Sequence, residues 1–118
     1  MDQPADIARI RQFADAMPGG LQELVEQFIA HTAETISDLR AAADAGDIAR
    51  VQMLAHRGAG TAGVCGANRL MELLKEVEAD AKNKSAERLA DGVARIEAEL
   101  ARVHAFLGRL LENERSSE

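Results

Sequence analysis

The sequence contains few of the residues on which disulfide-rich, metal-binding and all-β proteins depend. Its 118 residues include one cysteine, two prolines, no tryptophan and no tyrosine. The lone Cys65 cannot form an internal disulfide, and no cysteine–histidine cluster has the spacing of a zinc site. β-Branched residues are sparse, whereas alanine, leucine and glutamate are plentiful, which favours helices over strands. We therefore expect an all-α protein of a reducing compartment that holds neither a metal nor another cofactor.

An excess of positive charge and a long apolar run are also missing. The chain has 20 acidic and 14 basic residues, which gives a net charge of −6. This balance argues against a general nucleic-acid-binding surface and against a polybasic membrane anchor. The first residues are polar and acidic, unlike a signal peptide, and no apolar stretch approaches the roughly 20 residues of a membrane span. We expect a soluble cytoplasmic protein that binds neither nucleic acid nor membrane.

Apolar residues recur at helical spacing in five segments separated by short links. The length predicts one domain over residues 1–118. Short links between long amphipathic helices place consecutive helices antiparallel. The predicted fold is an up-and-down antiparallel four-helix bundle with a short N-terminal lid helix. The lid is expected at about 4–17, and the bundle helices at about 20–45, 47–64, 68–82 and 85–112.

Local signals predict where these helices end and which faces are buried. Gly46 is expected to stop a helix and Asp47 to cap the next one, while Asn68 and Ser85 are expected caps of the last two helices. The lid helix has an apolar stripe of Ile7, Ile10, Phe13, Ala14 and Met17. The last helix has a seam typical of a bundle, formed by Leu89, Val93, Ile96, Leu100, Val103, Leu107 and Leu110.

The third predicted helix has a face that a plain scaffold does not explain. On a helical wheel the apolar stripe lies away from His56, so the imidazole is expected to point to solvent. That stripe consists of Val51, Leu54, Ala55, Gly58, Ala62 and Cys65. The side of the helix that carries His56 also carries Gln52, Met53, Ala59, Gly60 and Gly63. The surface beside the imidazole is therefore almost bare of side chains.

Each glycine inside this helix lowers helix stability by about 1 kcal/mol relative to alanine, so its presence calls for a structural or functional explanation. Gly58 faces inward and can allow a neighbouring helix to approach closely. Gly60 and Gly63 face outward with His56, and we interpret them as steric access for a partner to the ring nitrogen. The segment 47–75 carries four basic and two acidic residues. This local balance suits an anionic partner pocket or a phosphoryl group.

The segment from Leu54 to Ala67 resembles the signature of histidine-containing phosphotransfer (HPt) domains. In that family an Ala-His pair is followed by lysine at three residues after the histidine, glycine at four, serine or threonine at five, and Gly-Ala at ten and eleven. The chain has Ala55-His56, Gly60, Thr61 and Gly66-Ala67 at the matching places. The resemblance covers roughly residues 21–82, and the final helix is similar only as a bundle partner.

The resemblance implies that His56 accepts a phosphoryl group from the aspartyl phosphate of a receiver domain and passes it to another receiver. The implied partners are receiver domains of response regulators or hybrid histidine kinases. The catalytic machinery, including Mg²⁺, is then expected on the receiver, so that the chain is a phosphocarrier. We also expect a monomer, because the seam of the last helix is interpreted as core and not as a dimer interface. Partner docking or access is expected at Gln52, Met53, Arg57, Ala59, Gly60 and Gly63.

One departure from the family pattern keeps two other hypotheses open. Ala59 stands where the family has lysine, and Arg57 is the nearest candidate on this helix to replace it. The chain could therefore bind receivers without transferring anything, or it could be a purely structural helical bundle. We interpret His31 and His104 as ordinary surface or boundary residues. The Thr61 hydroxyl is expected to bond a backbone carbonyl one turn back.

Overall fold

A computed structural model of the protein describes residues 3–83 and 86–116. This part of the chain contains five α-helices and no strand, so the prediction of an all-α protein is confirmed. The helices are α1 (Ile7–Asp15), α2 (Gly20–Asp44), α3 (Ile48–Val64), α4 (Asn68–Lys82) and α5 (Ala86–Ser116). Helix α1 is shorter than the 4–17 predicted for the lid helix, and α5 continues past the predicted end near 112. None of these helices combines the length and apolarity needed to cross a membrane.

The turn between α2 and α3 forms as its residues predict. Gly46 follows the end of α2 with φ of 72°, a left-handed conformation that glycine adopts without steric penalty. The Asp47 side chain then accepts a hydrogen bond of 3.2 Å from the backbone N–H of Arg50. This cap satisfies one of the free N–H groups at the start of α3 and fixes where the helix begins.

The start of α4 differs from its prediction. Ala67 is the N-cap, makes no side-chain cap bond, and is followed by Asn68 as the first helical residue. The backbone N–H of Ala67 donates a hydrogen bond to the Ala62 carbonyl across Gly66, which has a left-handed conformation. The way α3 ends therefore determines where α4 begins. The predicted cap Ser85 lies outside the described residues.

The helices share one hydrophobic core. Helix α3 contacts α2 and α4, α5 contacts α4 and α2, and α1 packs against α2 and α3. Every residue of the predicted seam of α5 is buried, from Leu89 to Leu110. Phe13 is an exception to the predicted stripe of α1, since Ile10 and Ala14 are buried whereas Phe13 is exposed. The short helix covers the core along one narrow side, and the Phe13 ring lies beside the Arg9 guanidinium instead.

Gly58 explains how closely α3 and α4 approach each other. The residue is buried, and a Cβ atom placed there would lie 3.3 Å from both Leu74 methyl carbons. A side chain at this position would therefore crowd Leu74, as the inward-facing prediction implies. The close packing positions the outer faces of α3 and α4 beside each other, and the candidate site lies there.

Cys65 gives a direct test of the packing at the end of α3. The thiol is buried, and burial raises its pKa to about 11. We expect the folded protein to show no thiol reactive toward Ellman's reagent at about pH 8, because the thiolate is the reactive form. In denaturant the same sample should release one equivalent of the chromophore. Rapid stoichiometric reaction of the folded protein would show that this end of the core is open.

Candidate functional site

His56 lies on the outer face of α3, opposite the buried stripe. Its side chain is 79% exposed. Its neighbours on the inner side, Leu54, Ala55 and Gly58, are buried. The helical wheel thus predicts the orientation of the imidazole correctly, because the inner face of α3 is determined by its contacts with α2 and α4.

One nitrogen of the imidazole is held by a carboxylate from the neighbouring helix. The Nδ1 atom of His56 lies 3.0 Å from Oε2 of Glu78 in α4. The Glu78 side chain is only 17% exposed, and the same oxygen lies 3.9 Å from Nζ of Lys82. Because a carboxylate accepts, a neutral imidazole here carries its proton on Nδ1 and leaves the Nε2 lone pair free. In the described structure Nε2 has no hydrogen-bond partner, so it is the nitrogen available to a partner.

A shallow groove runs beside the imidazole between the two helices. It has a volume of about 500 Å³. Helix α3 contributes His56, Ala59, Gly60 and Gly63 to its lining, and α4 contributes Met71, Lys75 and Glu78. The groove is open to solvent and brings one imidazole, one ammonium and one carboxylate together.

The two outward glycines keep this groove open. A Cβ atom at Gly60 would meet nothing within 4 Å, and one at Gly63 would make an ordinary contact of 3.7 Å with the Met71 sulfur. Neither position therefore needs glycine for packing within the protein. Since glycine inside a helix costs about 1 kcal/mol relative to alanine, the open space beside His56 is the feature that these residues supply.

The other predicted docking residues occupy different positions around His56. Met53 and Arg57 are exposed and Gln52 is half-buried, but none of the three lines the groove. Ala59 differs from its predicted place on the open face, because it is 5% exposed. Helix α4 packs along the side of α3 that carries Ala59, so its methyl group forms part of the groove floor.

Sequence reasoning on α3 alone misses the groove residues of α4. Met71, Lys75 and Glu78 recur at steps of four and three, and they flank the buried stripe of Leu70, Leu74 and Val77. This spacing shows that they share a face of α4. Which residues of α3 they meet depends on how the two helices pack, and the helical period does not contain that information.

The remaining candidate residues stay apart from the groove. His31 is exposed, while His104 is half-buried, with Nε2 2.9 Å from the Thr32 hydroxyl oxygen. Burial lowers the pKa of His104. The Thr61 hydroxyl donates to the Arg57 carbonyl over 3.2 Å, as predicted. Among residues 3–83 and 86–116, no group of three or more histidine, cysteine, aspartate and glutamate side chains is arranged to hold a metal ion.

Comparisons with known proteins agree with this fold. The sequence profile of the Hpt domain matches residues 23–106. The crystal structure of histidine-containing phosphotransfer protein B (HptB) from Pseudomonas aeruginosa PAO1 superposes with a TM-score of 0.88 at 23% sequence identity. The match covers 96% of this chain and 98% of HptB, so the two chains share their fold over nearly their whole length. No curated protein sequence matches the chain significantly.

Proposed function

Because the chain belongs to the Hpt domain family of histidine-containing phosphotransfer proteins, we propose that it is a phosphorelay intermediate of two-component signalling. His56 accepts a phosphoryl group from the aspartyl phosphate of one receiver domain and donates it to another. The observation that carries this proposal is the state of the imidazole. Its Nδ1 is held by Glu78, and its Nε2 is free in an open groove.

The geometry supports an in-line transfer to Nε2. The lone pair of Nε2 forms a P–N bond while the P–O bond to the receiver's aspartate breaks. The aspartate leaves as a carboxylate with the bonding electron pair, and the proton on Nδ1 stays in its hydrogen bond to Glu78. The phosphorylated ring carries more positive charge than the free imidazole, so the Glu78 carboxylate stabilises it electrostatically. Donation to the second receiver reverses these steps.

The partners of this proposal are receiver domains of response regulators or hybrid histidine kinases. The receiver supplies the remaining machinery, including the Mg²⁺ that neutralises charge on the transferring phosphoryl group. The chain is then a phosphocarrier, and no step requires a cofactor of its own. Docking around His56 uses the groove together with the exposed Met53 and Arg57 side chains beside it.

The arrangement of the helices in this proposal is an up-and-down antiparallel four-helix bundle of α2 to α5, with α1 as a lid. Each of these four helices contacts the next, and α5 also contacts α2. Short links join α2 to α3 and α3 to α4. His56 meets Glu78 near the end of α4, whereas Gly63 meets Met71 near its start, which indicates that α3 and α4 run in opposite directions.

Phosphoryl transfer from a receiver tests the function directly. A receiver domain is labelled with ³²P on its aspartate, loaded with Mg²⁺ and mixed with the protein. We expect the label to move to the protein and to behave as a phosphoramidate that survives base and is lost in acid. Binding to receivers without any labelling would support the alternative of a docking module that lacks the cation at Ala59. If the protein neither bound nor was labelled by any receiver of a panel, that result would support a purely structural bundle.

Glu78 is expected to matter through the orientation of His56. Glu78→Leu removes the acceptor for the Nδ1 proton, so the ring turns freely and Nε2 loses its fixed direction. We expect transfer to slow by about 10- to 100-fold, by analogy with the loss of a carboxylate partner that orients a metal-binding imidazole. Glu78→Gln keeps an acceptor oxygen but loses the negative charge, so its rate should lie between those of Glu78→Leu and the wild type.

Stability separates this role from a structural one. Of this pair only the His56 side chain is largely exposed, at 79% against 17% for Glu78. Solvent around the imidazole still screens the pair, so its loss should change the free energy of unfolding by about 1 kcal/mol or less. Equal rates in Glu78→Leu and Glu78→Gln would contradict an orienting hydrogen bond.

A further inference from the structure

A phosphoryl group on His56 would lie close to a negative charge of the protein itself. Nδ1 and Nε2 belong to the same small ring, and Glu78 occupies the Nδ1 side. The Glu78 carboxylate that stabilises the positive ring therefore also repels the negative oxygens of a phosphoryl group on Nε2. A cation within reach of the phosphoryl oxygens is needed to offset the repulsion, and α3 offers a methyl group at Ala59 on this side.

Three cations near His56 differ in their availability. Lys82 is already paired with Glu78. Arg57 is exposed on α3 but does not line the groove. Lys75 lines the groove together with His56. In the described part of the chain its ammonium group forms no ion pair or hydrogen bond, so it is available to a ligand.

The register of α3 against α4 places Lys75 close to the imidazole. His56 of α3 contacts Glu78 of α4. Ala59 follows His56 by three residues in α3, and Lys75 precedes Glu78 by three residues in α4. Four more residues in the same directions reach Gly63 and Met71, which are also neighbours. Lys75 therefore lies opposite Ala59, about 4.5 Å along the helix axis from the level of His56.

The space between Lys75 and the imidazole is open. Ala59 has only a methyl group, and a Cβ atom at Gly60 would touch nothing within 4 Å. The flexible four-carbon chain of lysine can cross this gap without displacing another side chain.

From this arrangement we infer that Lys75 of α4 is the residue that binds the phosphoryl oxygens when His56 is phosphorylated. The ammonium group pairs with the dianion and offsets the repulsion from Glu78. This inference rests on the proposed function, because it concerns the phosphoryl group that His56 carries. It assigns to the neighbouring helix a role that Arg57 would otherwise have to fill from α3.

The test uses chemical phosphorylation so that it does not depend on a receiver. The full chain is phosphorylated with potassium phosphoramidate, and the ³¹P resonance that disappears in His56→Gln is followed through a pH titration. In Lys75→Gln we expect the midpoint between phosphoryl monoanion and dianion to move to higher pH, because the ammonium no longer stabilises the dianion. Lys75→Arg should restore the wild-type midpoint.

The matched control is Arg69→Gln, which removes one positive charge from the same helix at an exposed residue outside the groove that pairs with Glu72. Its midpoint should equal that of the wild type. An unchanged midpoint in Lys75→Gln would overturn the inference. If the midpoint instead shifted in Arg57→Gln, the phosphoryl oxygens would be bound by Arg57.

Transfer kinetics give the second readout and keep the two claims separate. With a labelled receiver, Lys75→Gln should be roughly tenfold slower than the wild type, as expected for the loss of one charge-assisted contact. If a labelled receiver transferred no label to the wild-type protein, the proposed function would be contradicted. The ³¹P titration of the chemically phosphorylated protein would still decide the role of Lys75. Full-rate transfer by Lys75→Gln, together with an unchanged midpoint, would contradict Lys75 alone.

Discussion

His56→Gln is expected to abolish labelling by a phosphorylated receiver while leaving the fold intact. Glutamine fills the same exposed position but has no ring nitrogen that can form the P–N bond. Because the side chain of His56 is 79% exposed, the free energy of unfolding should change by no more than about 0.5 kcal/mol. Helical circular dichroism and a denaturant titration check the fold, and ³²P transfer checks the function.

His31→Gln is the matched control for this substitution. His31 is also an exposed helical histidine, but it lies on α2 outside the groove. Its variant should be labelled at the wild-type rate. If His56→Gln were still labelled, the phosphoryl group would go to another residue and the assignment of the site would be wrong.

Gly60→Arg is expected to slow transfer by about 100-fold or more. In-line transfer requires a precise position of the receiver's phosphoryl group, and a displacement of about 1 Å can lower the rate by about 100-fold. A long side chain at this position fills the approach to Nε2. The free protein should tolerate it, since no atom lies within 4 Å of the added Cβ and the position faces the solvent. Relief of the glycine penalty should even stabilise the helix by roughly 0.8 kcal/mol.

Gly108→Arg provides the control for bulk and charge. Gly108 lies in α5, and a Cβ atom there also meets nothing within 4 Å. It should therefore gain comparable stability and transfer at the wild-type rate. Gly60→Gln tests whether bulk alone is sufficient, because it adds length without charge. Normal transfer by both Gly60 variants would show that the bare surface beside His56 is not the path of the partner.

The helical period predicts those parts of the site that depend on one helix. The apolar stripe of α3 fixes which way His56 points, and the outward positions of Gly60 and Gly63 follow from the same wheel. The seam of α5 is predicted for the same reason. These features depend on local geometry, so the order of residues along the chain is sufficient.

The features that sequence reasoning missed depend on contacts between helices. Glu78 and Lys75 belong to the site because of the way α4 packs against α3 around Gly58. Ala59 is buried for the same reason. Phe13 is exposed because α1 covers the core with a single narrow side. Spacing within one helix does not reveal any of these arrangements.

In the proposed mechanism Nε2 of His56 forms the bond to phosphorus, while Nδ1 keeps its proton and donates it in a hydrogen bond to Glu78. NMR can identify the nitrogen that is bonded to phosphorus. The protein is labelled with ¹⁵N-histidine and phosphorylated by a receiver, and phosphorus–nitrogen coupling is detected in the ring. We expect the coupling to appear at Nε2 of His56, with Nδ1 still protonated. Coupling at Nδ1, or at His31 or His104, would contradict this account of the site.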